Sequence, residues 1–344
     1  MMVYNLNMFI FLSLIILSLM IGLNSVSVFY LWFSIEVNMM SFIPMILYYN
    51  NYYNFCSIKY FLIQSFSSSL MLLLMLNLYY MNIMNFLFFM LILSLFMKLG
   101  YFPFHMWYLN ILKDLDWMSV MLLMSIQKLL PFYKLWGVFK MINFSSSNFF
   151  ESFNLNNFYM IILILMSLNI MMLIYSNNSV KFFMGVSSIN HMSWMILLIL
   201  IDLHMWSCYY MFYIQILTNL ILIFNMYNVD NFNYMYMIKS KIFKFLIFFL
   251  VLMLMMMPPL IGFFLKMFSI ELFMEYKLYF ITYLMLNLSV FMSYYYLSLM
   301  MSCLLINSSN FMYNMNINIQ YMKIDYSYFF MNLLMMFLYS MWML

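Results

Sequence analysis

Arginine and alanine are both missing from this chain of 344 residues, and charge of either sign is scarce. Its 13 lysines face nine carboxylates, so only 6% of residues are charged, against roughly 25% in soluble domains. A small basic excess without arginine offers nucleic acid little, and no nucleic-acid partner is expected. The three cysteines, Cys56, Cys208 and Cys303, share no close spacing. That argues against a zinc site, an iron–sulfur cluster or a disulfide framework. With five glycines there is no GxGxxG or GxxxxGK to cradle a phosphate. The chain is therefore expected to bind no cofactor and no metal. No basic n-region, small-residue cleavage site or Arg-rich presequence precedes the first apolar run at 4–21, so synthesis close to the membrane is expected.

What fills the chain is apolar surface: 69% of residues are hydrophobic and 23% aromatic. Runs of about 20 such residues recur from end to end, each long enough to cross a hydrocarbon layer of roughly 30 Å. They do not alternate apolar with polar residues as barrel strands do. The expectation is an all-α polytopic membrane protein of eleven spans, at 4–21, 27–47, 58–78, 84–112, 117–139, 158–175, 182–200, 205–227, 242–274, 278–306 and 326–342. The polar stretches between them are too short to bury a core, so 1–344 is read as a single transmembrane bundle. The 48 methionines and 31 tyrosines are spread evenly among many Asn, Ile, Phe and Lys. That pattern reads as AT-rich coding and is assigned no chemistry.

Lysines in short loops stay on the side from which a chain is inserted. Loops on the N-terminal side carry Lys59, Lys113, Lys181, Lys239, Lys241, Lys244 and Lys323, and the other side only Lys140 and Lys277. The N-terminus is therefore expected on the synthesis side and the C-terminus opposite. Four lysines remain inside the spans: Lys98, Lys128, Lys134 and Lys266.

A lysine at the bilayer centre costs about 2.5–3.5 kcal/mol on insertion scales, so such residues usually face protein or water and have a task. Lys98 and Lys128 lie about 14 and 11 residues into their segments, and Glu36 about nine into its own, which at about 1.5 Å per residue places all three near mid-depth. Two readings fit Glu36 and its lysine partner: a pair that fixes helix packing, or one station of a proton relay. Desolvation favours a neutral amine and a nearby carboxylate favours the ammonium, so moving the carboxylate loads or unloads a proton. Several midplane lysines with one carboxylate suit the relay better. Lys134, near its segment's end, is placed to snorkel to the interface.

Two segments carry helix breakers beside a lysine. In FMKLGYFPFHMWYL, Gly100 and Pro103 interrupt the turn after Lys98, and His105 follows. Backbone groups freed in lipid must be re-satisfied by protein or by water in a cavity, which predicts a hydrated pocket here. His105 is either a proton carrier or a satisfied structural histidine. MMMPPLIGFFLKM repeats the device, with Pro258, Pro259 and Gly262 ahead of Lys266. The two lie five crossings apart, and a shift by an odd number of helices inverts topology. Interrupted helices at matching places in inverted halves point to a midplane transport site. The halves would be 1–140 and 155–306, each with a discontinuous helix, with 307–344 an extra C-terminal helix. His191, in SSINHMSWM, falls between the Lys128 and Lys266 segments and is a candidate bridge between them.

SIEVNMMSFIPM, SIKYFLIQ, MKLGYFPFHMW, SIQKLLPF, SSINHMSWM and PPLIGFFLKM occur in the order and near the spacing of a known family. Over about 32–267 the chain resembles the chain 2 family of mitochondrial NADH–ubiquinone oxidoreductase, respiratory complex I, in an insect-type, mitochondrially encoded form. The resemblance implies an antiporter-like, proton-translocating subunit of the membrane arm. It puts the family's essential glutamate on Glu36, its paired lysine on Lys98, its central relay lysine on Lys128 and its exit lysine on Lys266. His191 matches a position near the central polar axis. It further implies a place in the mitochondrial inner membrane, with the N-terminus in the matrix and the C-terminus facing the intermembrane space. Other membrane-arm subunits would be its partners, including neighbouring antiporter-like chains, together with phospholipids. NADH, FMN, iron–sulfur clusters and ubiquinone would act in other subunits, leaving no redox centre here. Tyr108 and Leu109 stand where the family usually has proline, and Met256, Met257 and Leu265 depart from its pattern around the second break. Milder helix breaks are expected from these departures. A stand-alone cation/proton antiporter and a non-pumping membrane scaffold remain the competing functions.

Overall fold

The computed structural model describes residues 2–25, 27–49, 54–77, 84–145, 179–231, 241–258 and 260–304. The expected spans at 158–175 and 326–342 lie outside the described residues, as do Lys239, Lys323 and Pro259. Among the described residues the elements are all α-helices. In chain order they are α1 Met2–Leu23, α2 Val28–Tyr49, α3 Asn54–Asn77, α4 Met84–Leu99, α5 His105–Asp114, α6 Trp117–Met124, α7 Ile126–Ser145, α8 Val180–Ile201, α9 Leu203–Tyr227, α10 Lys241–Met255, α11 Ile261–Glu275 and α12 Tyr279–Leu304.

Helices are forced by the solvent, because a lipid-immersed backbone must satisfy its own hydrogen bonds. The serines within them obey the same rule. Ser18, Ser34, Ser94 and Ser187 each donate to a carbonyl three residues back at 2.6–2.7 Å, which hides a hydroxyl in an apolar helix. Among the described residues five helices are by themselves long and apolar enough to cross a bilayer, at Val28–Tyr48, Phe55–Asn77, Val180–Ile201, Leu203–Tyr227 and Tyr279–Leu297. Large apolar side chains such as Phe29, Phe66, Leu73, Val290 and Tyr294 are more than half exposed on the outer faces.

Both expected breaks are complete. The span at 84–112 divides into α4 and α5, and that at 242–274 into α10 and α11. The span at 117–139, expected to be continuous, is also interrupted: Ser125, at φ −109° and ψ −89°, separates α6 from α7.

The residues group into two compact units, Met1–Trp206 and Ser207–Leu344. In the first, α7 packs against α1, α2, α4, α6 and α8, while α3 runs beside α2, α4 and α5. Helix α8 is buried along nearly its whole length and also touches α5 and α6. In the second unit α12 packs on α10 and α11.

Candidate functional site

The first break is built by a Schellman ending. Gly100 takes φ +67°, its N–H donates to the Met97 carbonyl at 3.3 Å, and the Tyr101 N–H donates back to Phe96 at 2.9 Å. The rings of Phe96 and Tyr101 close over the motif at 5.0 Å. Lys98 thereby stands in the last turn of α4, the helix end whose unpaired carbonyls and dipole attract a cation.

Its partner is Glu36 on α2, with Lys98 Nζ and Glu36 Oε1 4.0 Å apart and side chains 1% and 18% exposed. Neither atom has a hydrogen bond to a protein group among the described residues. The pair is thus a loose ion contact, unlike the tight bidentate geometry of structural ion pairs. Uncharged polar side chains that nothing in their apolar runs marks out lie around it. Gln64 on α3 donates to the Lys98 carbonyl at 3.2 Å. Gln127 on α7 donates to Asn38 Oδ1 at 3.0 Å and accepts from the Tyr60 hydroxyl at 3.3 Å. Four helices, α2, α3, α4 and α7, are pinned together around Glu36 and Lys98 by amides and one hydroxyl.

Lys128 follows Gln127 in the first turn of α7, three residues after the interruption at Ser125. Its Nζ donates to the Tyr108 hydroxyl at 2.9 Å and to Ser188 Oγ at 3.2 Å. Those two oxygens are 2.7 Å apart, and the Tyr108 ring lies beneath the nitrogen at 4.5 Å. Lys128 makes no ion pair with any described carboxylate. Tyr108, in the first turn of α5 beside the first break, supplies the lysine's phenolic ligand. Its position depends on both neighbours of the break: a Cβ on Gly100 would lie 2.6 Å from Tyr108 Cβ, and one on Gly185 would lie 2.7 Å from Leu109 and Leu112. Glycine at 185 lets α8 approach α5 without displacing the Leu109 and Leu112 methyl ends, which keeps Ser188 within reach of the site.

His191 is buried one turn beyond Ser188 on α8, in the same unit as Lys128. His105 opens α5, 7% exposed, its ring stacked on Phe102 at 5.9 Å. Lys134 does not lie along an exposed outer face: it is 4% exposed and lines a partly open cavity.

In the second unit Lys266 on α11 reaches back across the break and donates to the Met255 carbonyl at 3.0 Å. Met255 is the last residue of α10, so this ammonium too sits at the carbonyl end of an interrupted helix. Met256 turns the chain at φ +54°. A Cβ on Gly262 would meet the Met253 carbonyl at 3.0 Å, which explains a glycine where α11 passes the end of α10.

Apolar helices, three interrupted spans, and lysines drawn into the protein interior beside the breaks define a polytopic membrane protein of the ion-translocating type. The family model of the NADH:quinone oxidoreductase/Mrp antiporter transmembrane region matches residues 25–293, and the chain belongs to this family. NADH-ubiquinone oxidoreductase chain 2 of Anopheles gambiae is 31% identical over 310 residues, covering 87% of this chain and 86% of that one. The same chain of Artemia franciscana is 32% identical over 81% and 84% of the two. Among solved structures, a chain of respiratory complex I from Thermus thermophilus shares the fold with a TM-score of 0.70 at 14% identity, over 86% of this chain and 70% of that one. A chain of the Mrp complex from Dietzia sp. DQ12-45-1b does so with 0.72 at 11%, over 85% and 59%.

Proposed function

We propose that this chain is an antiporter-like membrane-arm subunit of mitochondrial respiratory complex I, and that it moves protons through buried groups while NADH oxidation proceeds elsewhere in the complex. The relay comprises Glu36, Lys98, Lys128, His191 and Lys266, with His105 as a further carrier. The halves 1–140 and 155–306 are inverted repeats, which puts Lys98 and Lys266 beside matching breaks. The chain lies in the inner membrane, N-terminus in the matrix and C-terminus toward the intermembrane space, among other antiporter-like subunits and phospholipids. It holds no redox centre; NADH, FMN, iron–sulfur clusters and ubiquinone belong to other subunits.

The observation that carries this reading is the coordination of Lys128. A carboxylate partner would hold the ammonium in one state. Hydroxyls instead both donate and accept: Tyr108 and Ser188 accept from an ammonium, and Tyr108 can turn its proton toward a neutral amine with no heavy atom displaced. The site therefore satisfies the nitrogen with or without its extra proton, as an intermediate station must. The loose Glu36–Lys98 contact suits a pair whose separation changes during turnover.

Lys128→Met in the assembled, reconstituted complex is expected to lower proton translocation about a hundredfold, the scale of losing a positioned proton carrier. Unchanged pumping in an intact complex refutes the relay and favours a scaffold. The fold shared with the Mrp complex supports a second reading, a stand-alone cation/proton antiporter. Purification separates the two: a complex I subunit co-migrates with NADH dehydrogenase activity, and an independent carrier is active without it.

A further inference from the structure

Lys134 is a buried cation with no ion pair to any described residue, and it lines a cavity of about 150 Å³ in the first unit. Ser25, Ser27 and Tyr133 supply further polar lining. Met75, Leu91 and Met141 form part of an apolar wall. A Cβ on Gly137, which also borders the space, would meet nothing within 4 Å.

The chain's alternation explains why these residues meet. Ser25 and Ser27 belong to the α1–α2 connection, Met75 to the end of α3, Leu91 to the first half of α4 and Met141 to the end of α7. All lie toward one end of the first unit, the end opposite the start of α1. The α1–α2 connection marks headgroup depth there. Trp136 and Tyr133, 5.7 Å apart, are the aromatic pair expected at that level. A second cation stands beside them, with Lys140 Nζ 5.2 Å from the Trp136 ring centroid.

We propose that this cavity is a binding site for one anionic phospholipid. Its phosphate sits against Lys134 with Ser27, whose oxygen accepts from the Tyr30 N–H, as a hydroxyl donor, and an acyl chain follows the apolar wall. Lys140 adds attraction at the mouth. Buried cations without protein partners need an anion or a task, and phosphate at headgroup depth is the abundant anion there. The site is separate from the relay groups and does not depend on the proposed pumping.

The test places the full chain, within its assembled complex, in nanodiscs of phosphatidylcholine containing a minor fraction of brominated phosphatidylglycerol or brominated phosphatidylcholine. The quenching specific to Trp136 is taken as the difference from Trp136→Phe. Phosphatidylglycerol is expected to quench about fivefold more effectively than phosphatidylcholine, the ratio that about 1 kcal/mol of lysine–lipid attraction gives. Lys134→Arg keeps the preference, while Lys134→Gln and the cavity-filling Gly137→Leu abolish it. Equal quenching by the two lipids in the unmodified chain overturns the proposal, whether or not the variants assemble. So does loss of the preference on adding millimolar inorganic phosphate, which would mark the site as one for a free small anion.

Discussion

In the proposed relay, Lys128 is the residue at which least has to move for a proton to pass. Its nitrogen is held by two hydroxyl oxygens and an aromatic face. Tyr108→Phe keeps the ring and deletes only the hydroxyl. A hydrogen bond to a charged group is worth about 1.5–3 kcal/mol, so proton translocation is expected to slow by about ten- to a hundredfold in an assembled complex. An unaltered rate would remove Tyr108 from the machinery. For the other buried pair, a double-mutant cycle combining Glu36→Gln with Lys98→Met should return a coupling energy of about 0.5–3 kcal/mol in complex stability. Strict additivity would mean that the 4.0 Å contact carries no interaction. The charged members of this site were readable from the chain because charge in lipid is conspicuous. Tyr108, Ser188, Gln64, Asn38 and Gln127 were not, since a hydroxyl or amide in an apolar run looks the same whether it bonds its own helix or another. SSINHMSWM held a usable signal: Ser188 and His191 are three apart and share a helix face.

At the scale of elements, helix ends do the positioning. Lys98 precedes its break, in the last turn of the first half-helix, and its ammonium faces Glu36, whereas Lys266 follows its own break and reaches back to the last carbonyl of the first half-helix. Both breaks thus bring a lysine to the end of a first half-helix, from two opposite sequence orders. The breaks were legible because Gly-x-x-Pro and Pro-Pro cannot continue a helix. The third interruption, at Ser125, carries neither glycine nor proline, and nothing local marks it. Gly100→Ala is expected to cost about 1–3 kcal/mol, because φ +67° strains any side chain and the methyl meets Tyr108 Cβ. Gly137→Ala, with open space around its Cβ, should be neutral or slightly stabilising. Thermal unfolding of the assembled complex carrying each substitution checks the pair, and equal melting temperatures would contradict the packing described at Gly100.

For the whole molecule, orientation rests on the uneven lysines. A protease-sensitive tag at the N-terminus should be cut only in inside-out inner-membrane vesicles, and one at the C-terminus only in intact mitoplasts. The reverse pattern would overturn the assignment of sides and, with it, the direction of proton movement.

Length and order of the apolar runs, the complete breaks beside Lys98 and Lys266, and the depth of Glu36 and Lys128 were all determined by the sequence. Each follows from one chain meeting one solvent: hydrocarbon demands long apolar helices and expels unneeded charge. Tertiary structure alone decided who meets whom. That Tyr108 and Ser188, 80 positions apart in the chain, close on one lysine depends on Gly185 admitting α5 against α8. That Lys134 turns into a cavity depends on four segments ending at the same depth. Contacts between distant helices are set by the shapes of facing side chains, and hydrophobic periodicity records which face is buried without recording against what.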